Sequence, residues 1–111
     1  MKTRARVDAG ICGFQSDIAA ACADDQHVDF EIISDCEKVR SFAAVLKKSG
    51  SVDAFREISP ASESLVLSAA RETLKGCCAA CAAPVGVFKA MQVAAGLALP
   101  KDIAIRIAKG E

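Results

Sequence analysis

The sequence predicts an α+β fold: a mostly antiparallel sheet of three to four strands with its helices on one face, in the order β-β-β-α-(α)-α-α-β. Three observations predict it. Apolar and polar residues alternate in short windows near the amino terminus, the period of strands with one wet face. Apolar residues at helical spacing, bounded by capping and stop signals, then run from Ser34 to Ala95. A last window, Ile103 to Ala108, alternates again and predicts a closing strand.

The first strand is read as Thr3 to Ala9, with Thr3, Ala5, Val7 and Ala9 on one face and Arg4, Arg6 and Asp8 on the other. Gly10-Ile11-Cys12-Gly13-Phe14 breaks it, and the flanking glycines free a loop that displays Cys12. Asp17 to Ala23 forms the second strand. Cys22 shares the phase of Ile18 and Ala20 there, which makes it a core residue. Ala23-Asp24-Asp25-Gln26 is a polar turn. His27 to Ile33, with Val28, Phe30 and Ile32 on one face, completes a hairpin. His27 stands at its rim as a solvated turn residue rather than a catalytic base.

Ser34-Asp35-Cys36-Glu37 fits a capping box, with Ser34 as N-cap and Glu37 three residues on. Val39, Phe42, Ala43 and Leu46 follow at helical spacing, and Lys47-Lys48-Ser49-Gly50 closes the helix. Cys36 is thereby expected in the first turn, facing unpaired N–H groups and the positive end of the dipole. Ser51 is expected to cap a short helix from Val52 to about Glu57. Ser59, with Pro60 after it, opens another that runs to about Lys75. Pro84 to about Ala95 is the last helix, polar only at Lys89 and Gln92. A helix so apolar has to be covered on most sides, by its own domain or by a partner subunit, and a homodimer is the simplest closed arrangement.

The chain of 111 residues fits one domain with one core, residues 1–111. Its hydrophobic share of 52% excludes disorder, and with five Phe and no Trp or Tyr the core has to be built from aliphatic residues among alanines. Lys plus Arg equals Asp plus Glu at 14 each, so no basic field exists to attract nucleic acid or an anionic membrane. No apolar run of signal-peptide length follows Met1-Lys2-Thr3-Arg4-Ala5-Arg6, and the tract from Cys77 to Phe88 is too short to span a bilayer. The expectation is a cytoplasmic protein whose reducing surroundings keep six cysteines as thiols. With His27 as the one histidine, a tightly held soft metal has to be bound mainly by cysteine.

Chemistry concentrates in Gly76-Cys77-Cys78-Ala79-Ala80-Cys81-Ala82-Ala83-Pro84, a short connection between two helices. Cys78 and Cys81 form a C-x-x-C, a spacing that lets two sulfurs reach one metal ion or close a redox disulfide. Together with Cys12 and Cys36 they form the candidate metal ligands, for zinc or an iron–sulfur cluster. Two other readings stand beside this one. In the first, the chain is a protein-interaction module whose cysteines act as small hydrophobes in an alanine-rich core. In the second, Cys78 and Cys81 are a thiol redox pair, although no strand of the thioredoxin type directly precedes them. No nucleophile, base and orienter stand at a spacing usable for hydrolysis, so an enzyme is not expected.

This placement resembles the iron–sulfur cluster assembly scaffold family (NifU/IscU-like), in which three antiparallel strands run into helices. The resemblance aligns Cys12 with a cysteine in an early strand loop, Cys36 with one opening the helix after the third strand, and Cys81 or Cys78 with one before the last long helix. It implies a carrier or scaffold for a cluster. The sequence differs from that family where Phe14 stands in place of an aspartate, and where Asp35 and Glu37 flank Cys36 in place of glycines. Ser34 to about Val93 also resembles the short cysteine-bearing domain at the end of some adenosylcobalamin-dependent ribonucleotide reductases. The geometric expectation of the metal-site reading is that Cys12, Cys36 and Cys81 converge at one edge of the sheet.

Overall fold

The structure is a computed structural model that describes residues 1–110. Four strands form one antiparallel sheet in the order β1-β2-β3-β4: β1 (Lys2–Asp8), β2 (Gln15–Cys22), β3 (His27–Ser34) and the two-residue β4 (Val52–Asp53). Four helices accompany them, α1 (Glu37–Lys48), α2 (Ala54–Glu57), α3 (Leu65–Thr73) and α4 (Ala83–Ala94), and a 3₁₀ turn spans Gly76–Cys78. The fold class is α+β.

Alternation decides which face of the sheet is covered. Ser16, Ile18, Ala20 and Cys22 of β2 are buried, and the residues between them look outward or are only partly covered. The register sets Ile18 opposite Ala5 and Ile32, and Ala20 opposite Thr3 and Phe30, so one apolar stripe crosses the three long strands. α4 packs on that stripe, mainly against β1 and β2, while α1 packs on β3 and α3 stands between α1 and α4. Phe42, Leu46, Val66, Val87, Met91 and Ala94 fill the space between the layers.

Several boundaries differ from the sequence expectation, each for a local reason. Ser34 does not cap α1. It ends β3 buried, its hydroxyl 2.9 Å from that of Ser16, and its Oγ accepts from the Cys36 N–H. Cys36 is therefore the N-cap itself rather than a first-turn residue, with Arg40 N–H donating to its carbonyl. Val52 joins β3 opposite Val28 instead of starting a helix. The cap of α2 is Asp53, whose carboxylate accepts from the N–H groups of Phe55 and Arg56. α3 starts at Leu65, well past Ser59. The buried carboxylate of Glu57 takes the Ser64 hydroxyl at 2.7 Å and the N–H groups of Leu65 and Val66 at 2.7 and 2.9 Å, which fixes the helix start there.

Two further expectations are corrected. Ile103–Ala108 is not a strand here. The segment after Leu99 has no regular structure, and Ile103, Ile105 and Ile107 are 53%, 72% and 92% exposed. Alternation supplies the propensity for a strand, but a strand also needs an edge to bond to, and this segment leaves from the end of α4 without meeting one. The apolar α4 packs against its own sheet and α3, with eight of its residues buried and Val85 exposed. The apolar stretch also reaches further than Cys77–Phe88: Gly76–Ala94 is long and apolar enough to cross a membrane by composition. The α-helix within it has 12 residues, about 18 Å at 1.5 Å per residue, and lies in the protein core.

Candidate functional site at one end of the sheet

Three chain segments that carry cysteines meet the same end of the sheet. Asp8 pairs with Gln15, Val7 with Ser16, and Ser16 with Ser34, so the β1–β2 turn and the end of β3 lie side by side. Cys12 sits in that turn, between Gly10 at φ +87° and Gly13 at φ +76°, left-handed values that favour glycine. The turn closes through Gly13 N–H to Gly10 O at 2.9 Å, and the thiol at its tip is exposed. Cys36 follows the end of β3 by two residues. The first turns of α4 reach the same end, because Gly86 packs against Val7 and Ile18. Cys81 comes two residues before α4. The chain thus brings the segments bearing Cys12, Cys36 and Cys81 to one end of the sheet.

The thiols differ in their surroundings. Cys36 is half-buried at the N-cap of α1, where no side chain bonds to the free N–H groups of the first turn. Cys78 and Cys81 are half-buried and packed against the core, and Cys77 is exposed. Partial burial pushes the Cys78 thiol above its ordinary value, and so do a hydrogen bond with Cys77 and the nearby charges of Cys77 and Cys36, with Lys38 acting in the opposite direction. Cys36, Cys77, Cys78 and Lys38 therefore form one electrostatic neighbourhood. A lone Cys78 thiolate is disfavoured there, which argues against an activated redox nucleophile at this position. Among the described residues, no three Cys, His, Asp or Glu side chains stand close enough to hold a metal ion.

The connection bearing these thiols is short and locally bonded. Gly76, at φ +63°, opens the 3₁₀ turn, and Cys78 N–H, Ala79 N–H and Cys81 N–H donate to Lys75, Gly76 and Cys78 carbonyls. Cys77 and Lys38 are the two participants that sequence reasoning did not single out. Their signal was adjacency, Cys77 beside Cys78 and Lys38 two residues after Cys36.

The remaining candidates lie elsewhere. Cys22 is buried at the opposite end of β2, with its thiol 3.8 Å from Asp24 Oδ1. In the same β2–β3 turn, His27 Nδ1 lies 2.7 Å from Asp24 Oδ2. The backbone and side-chain hydrogen bonds of His27, followed by the Gln26 N–H, hold the Asp24 carboxyl well below the usual carboxylate range. The side-chain bond to Asp24 raises His27 above 6.5. A raised histidine stabilises the fold below pH 6.5 and loses that contribution as pH rises through the higher folded value. An NMR titration of this one imidazole is expected to show a midpoint above 6.5 that returns toward 6.5 in Asp24→Asn. An unchanged midpoint in the variant would show that the pair does not form in solution.

No curated protein and no solved structure matches the chain. A family model does match, over residues 3–107, and it is described as a family of unknown function (DUF6951). The chain belongs to that family.

Proposed function

We propose that this protein is a small thiolate metal-site protein that binds zinc or an iron–sulfur cluster at the end of the sheet where its cysteines gather. The observation that supports it best is that the strand register and the seat of Gly86 bring the segments bearing Cys12, Cys36 and Cys81 to one end of the sheet. Cys36, Cys78 and Cys81 are the donors assigned to it, and Cys12 is the fourth, offered from the β1–β2 turn. Cys36 is held by a strand end and a helix start. The Cys77–Cys81 connection has only local backbone hydrogen bonds. Ligation by thiols releases their protons, so the affinity rises with pH, most directly through Cys78. All six cysteines are free thiols, which suits a reducing, cytoplasmic compartment.

An iron–sulfur cluster is the cargo implied by the resemblance to NifU/IscU-like scaffolds, and a carrier role would make another protein the donor or acceptor. Elemental analysis and a visible spectrum of protein purified without oxygen test the reading. Stoichiometric zinc, or iron with a sulfur-to-iron absorption band, is expected. Protein free of metal that takes up neither zinc nor a cluster would overturn it, leaving a protein-interaction module whose cysteines are small hydrophobes.

A further inference from the structure

We propose that Ile103–Ala108 is an exchanged fifth strand: in a homodimer, each chain lays this segment along the free edge of the other chain's β3. The segment has strand alternation, with Ile103, Ile105 and Ile107 on one side and Ala104, Arg106 and Ala108 on the other. All three isoleucines are more than half exposed, and the molecule measures 46 Å along its longest axis against 28 and 27 Å across. The family match runs to residue 107, so it includes this segment with the folded core. Three alternating isoleucines left in water are a strand without a sheet.

The sheet offers a matching edge. β4 covers β3 only at His27 and Val28, which leaves the outer side of Asp29 to Ser34 without a strand, about the length of Ile103–Ala108. Beside this edge, between β3 and α1, lies a groove of about 440 Å³ whose lining includes the apolar Phe30, Ile32, Ala43 and Leu46 together with the charged Asp29, Glu31 and Lys47. A strand added here with its isoleucines toward the groove turns Arg106 to the other face, beside Asp29 and Glu31. The other free edge is electrostatically wrong. There the outward residues are Lys2, Arg4 and Arg6 with Asp8 at the strand end, and the three cations would face Arg106. Length, apolar lining and charge all select β3.

The chain's own path favours a second copy as the source of the strand. The segment leaves from the end of α4, which lies over β1 and β2. α3 and α1 stand between that helix and the β3 edge. Reciprocal exchange closes the assembly as a two-fold dimer and uses both edges once.

Sedimentation of the full chain at micromolar concentration tests this. A dimer is expected, and Ile105→Asp is expected to convert it to a monomer with an unchanged far-UV circular dichroism spectrum, since this side chain touches no core. Arg106→Glu should weaken the dimer at least about tenfold by placing like charges together, and Glu31→Arg in the same chain should restore it. A monomeric wild type, or a dimer indifferent to Ile105→Asp, would overturn the proposal. So would a monomer whose melting temperature falls in Ile105→Asp, because the strand would then be pairing within its own chain.

Discussion

Phe42→Ala is expected to lower the stability of the fold by about 3–5 kcal/mol, the range for removing a buried aromatic ring from a core that relaxes only partly. Phe42 is fully buried on α1, where that helix faces β3 and α3, and it is the largest side chain in the core. The surrounding positions are held by valines, leucines and alanines on three separate elements, and none can swing into the space without leaving its own packing. Domains of this size have total stabilities of about 5–15 kcal/mol, so the loss is a large share of the whole. Urea denaturation checks it: the midpoint should fall while the dependence on denaturant is preserved. A loss below about 1 kcal/mol would mean that the α1 interface is not packed as described.

Gly86→Val should cost about 2–3 kcal/mol, the upper part of the range for overpacking a filled core. A Cβ at position 86 would stand 2.4 Å from Val7 Cγ2 and 3.2 Å from Ile18 Cδ1. Val7 is β-branched and held in β1, so it has no free rotamer into which to retreat. Replacing glycine in a helix interior ordinarily gains up to about 1 kcal/mol, so the expected sign is opposite to intrinsic propensity. The consequence reaches the candidate site, because this contact sets the first turns of α4, and the cysteine connection before them, at the Val7 end of the sheet. Denaturation of Gly86→Ala and Gly86→Val should give a graded loss. A valine variant as stable as the wild type would show that α4 does not approach β1 so closely.

The sheet and its meander were legible because strand periodicity and turn chemistry agree in the first 33 residues: Ile18, Ala20 and Cys22 fall in phase, and the Ala23–Gln26 turn sits where the register places it. The apolar stripe of α1 was legible for the same reason. What sequence could not supply were contacts made between elements. Ser59 and Pro60 carry a convincing helix-start pattern, yet the start of α3 is fixed by Glu57, whose carboxylate reaches residues seven to nine positions ahead. Val52 was read as helical because its pairing with Val28 is invisible locally. Ile103–Ala108 has a strand pattern without a strand, since propensity does not provide an edge.

The cysteine placement was legible in part. Helix-start signals at Cys36 and near Cys81, with the glycine-flanked turn at Cys12, led to the expectation of a common sheet end. The register and the seat of Gly86 place their segments there. The influence of Cys36 and Lys38 on Cys78 was beyond reach, because it depends on how α1 and the 3₁₀ turn approach each other.

Cobalt(II) titration of the reduced protein without oxygen tests the metal-site proposal most directly, because cobalt reports thiolate ligation through its own absorption and occupies zinc sites. The predicted result is one ion per chain with sulfur-to-cobalt charge-transfer absorption, weakened at least about tenfold in Cys36→Ser and in Cys78→Ser and unchanged in Cys22→Ala. Absence of that absorption, or equal binding by all three variants, would contradict it.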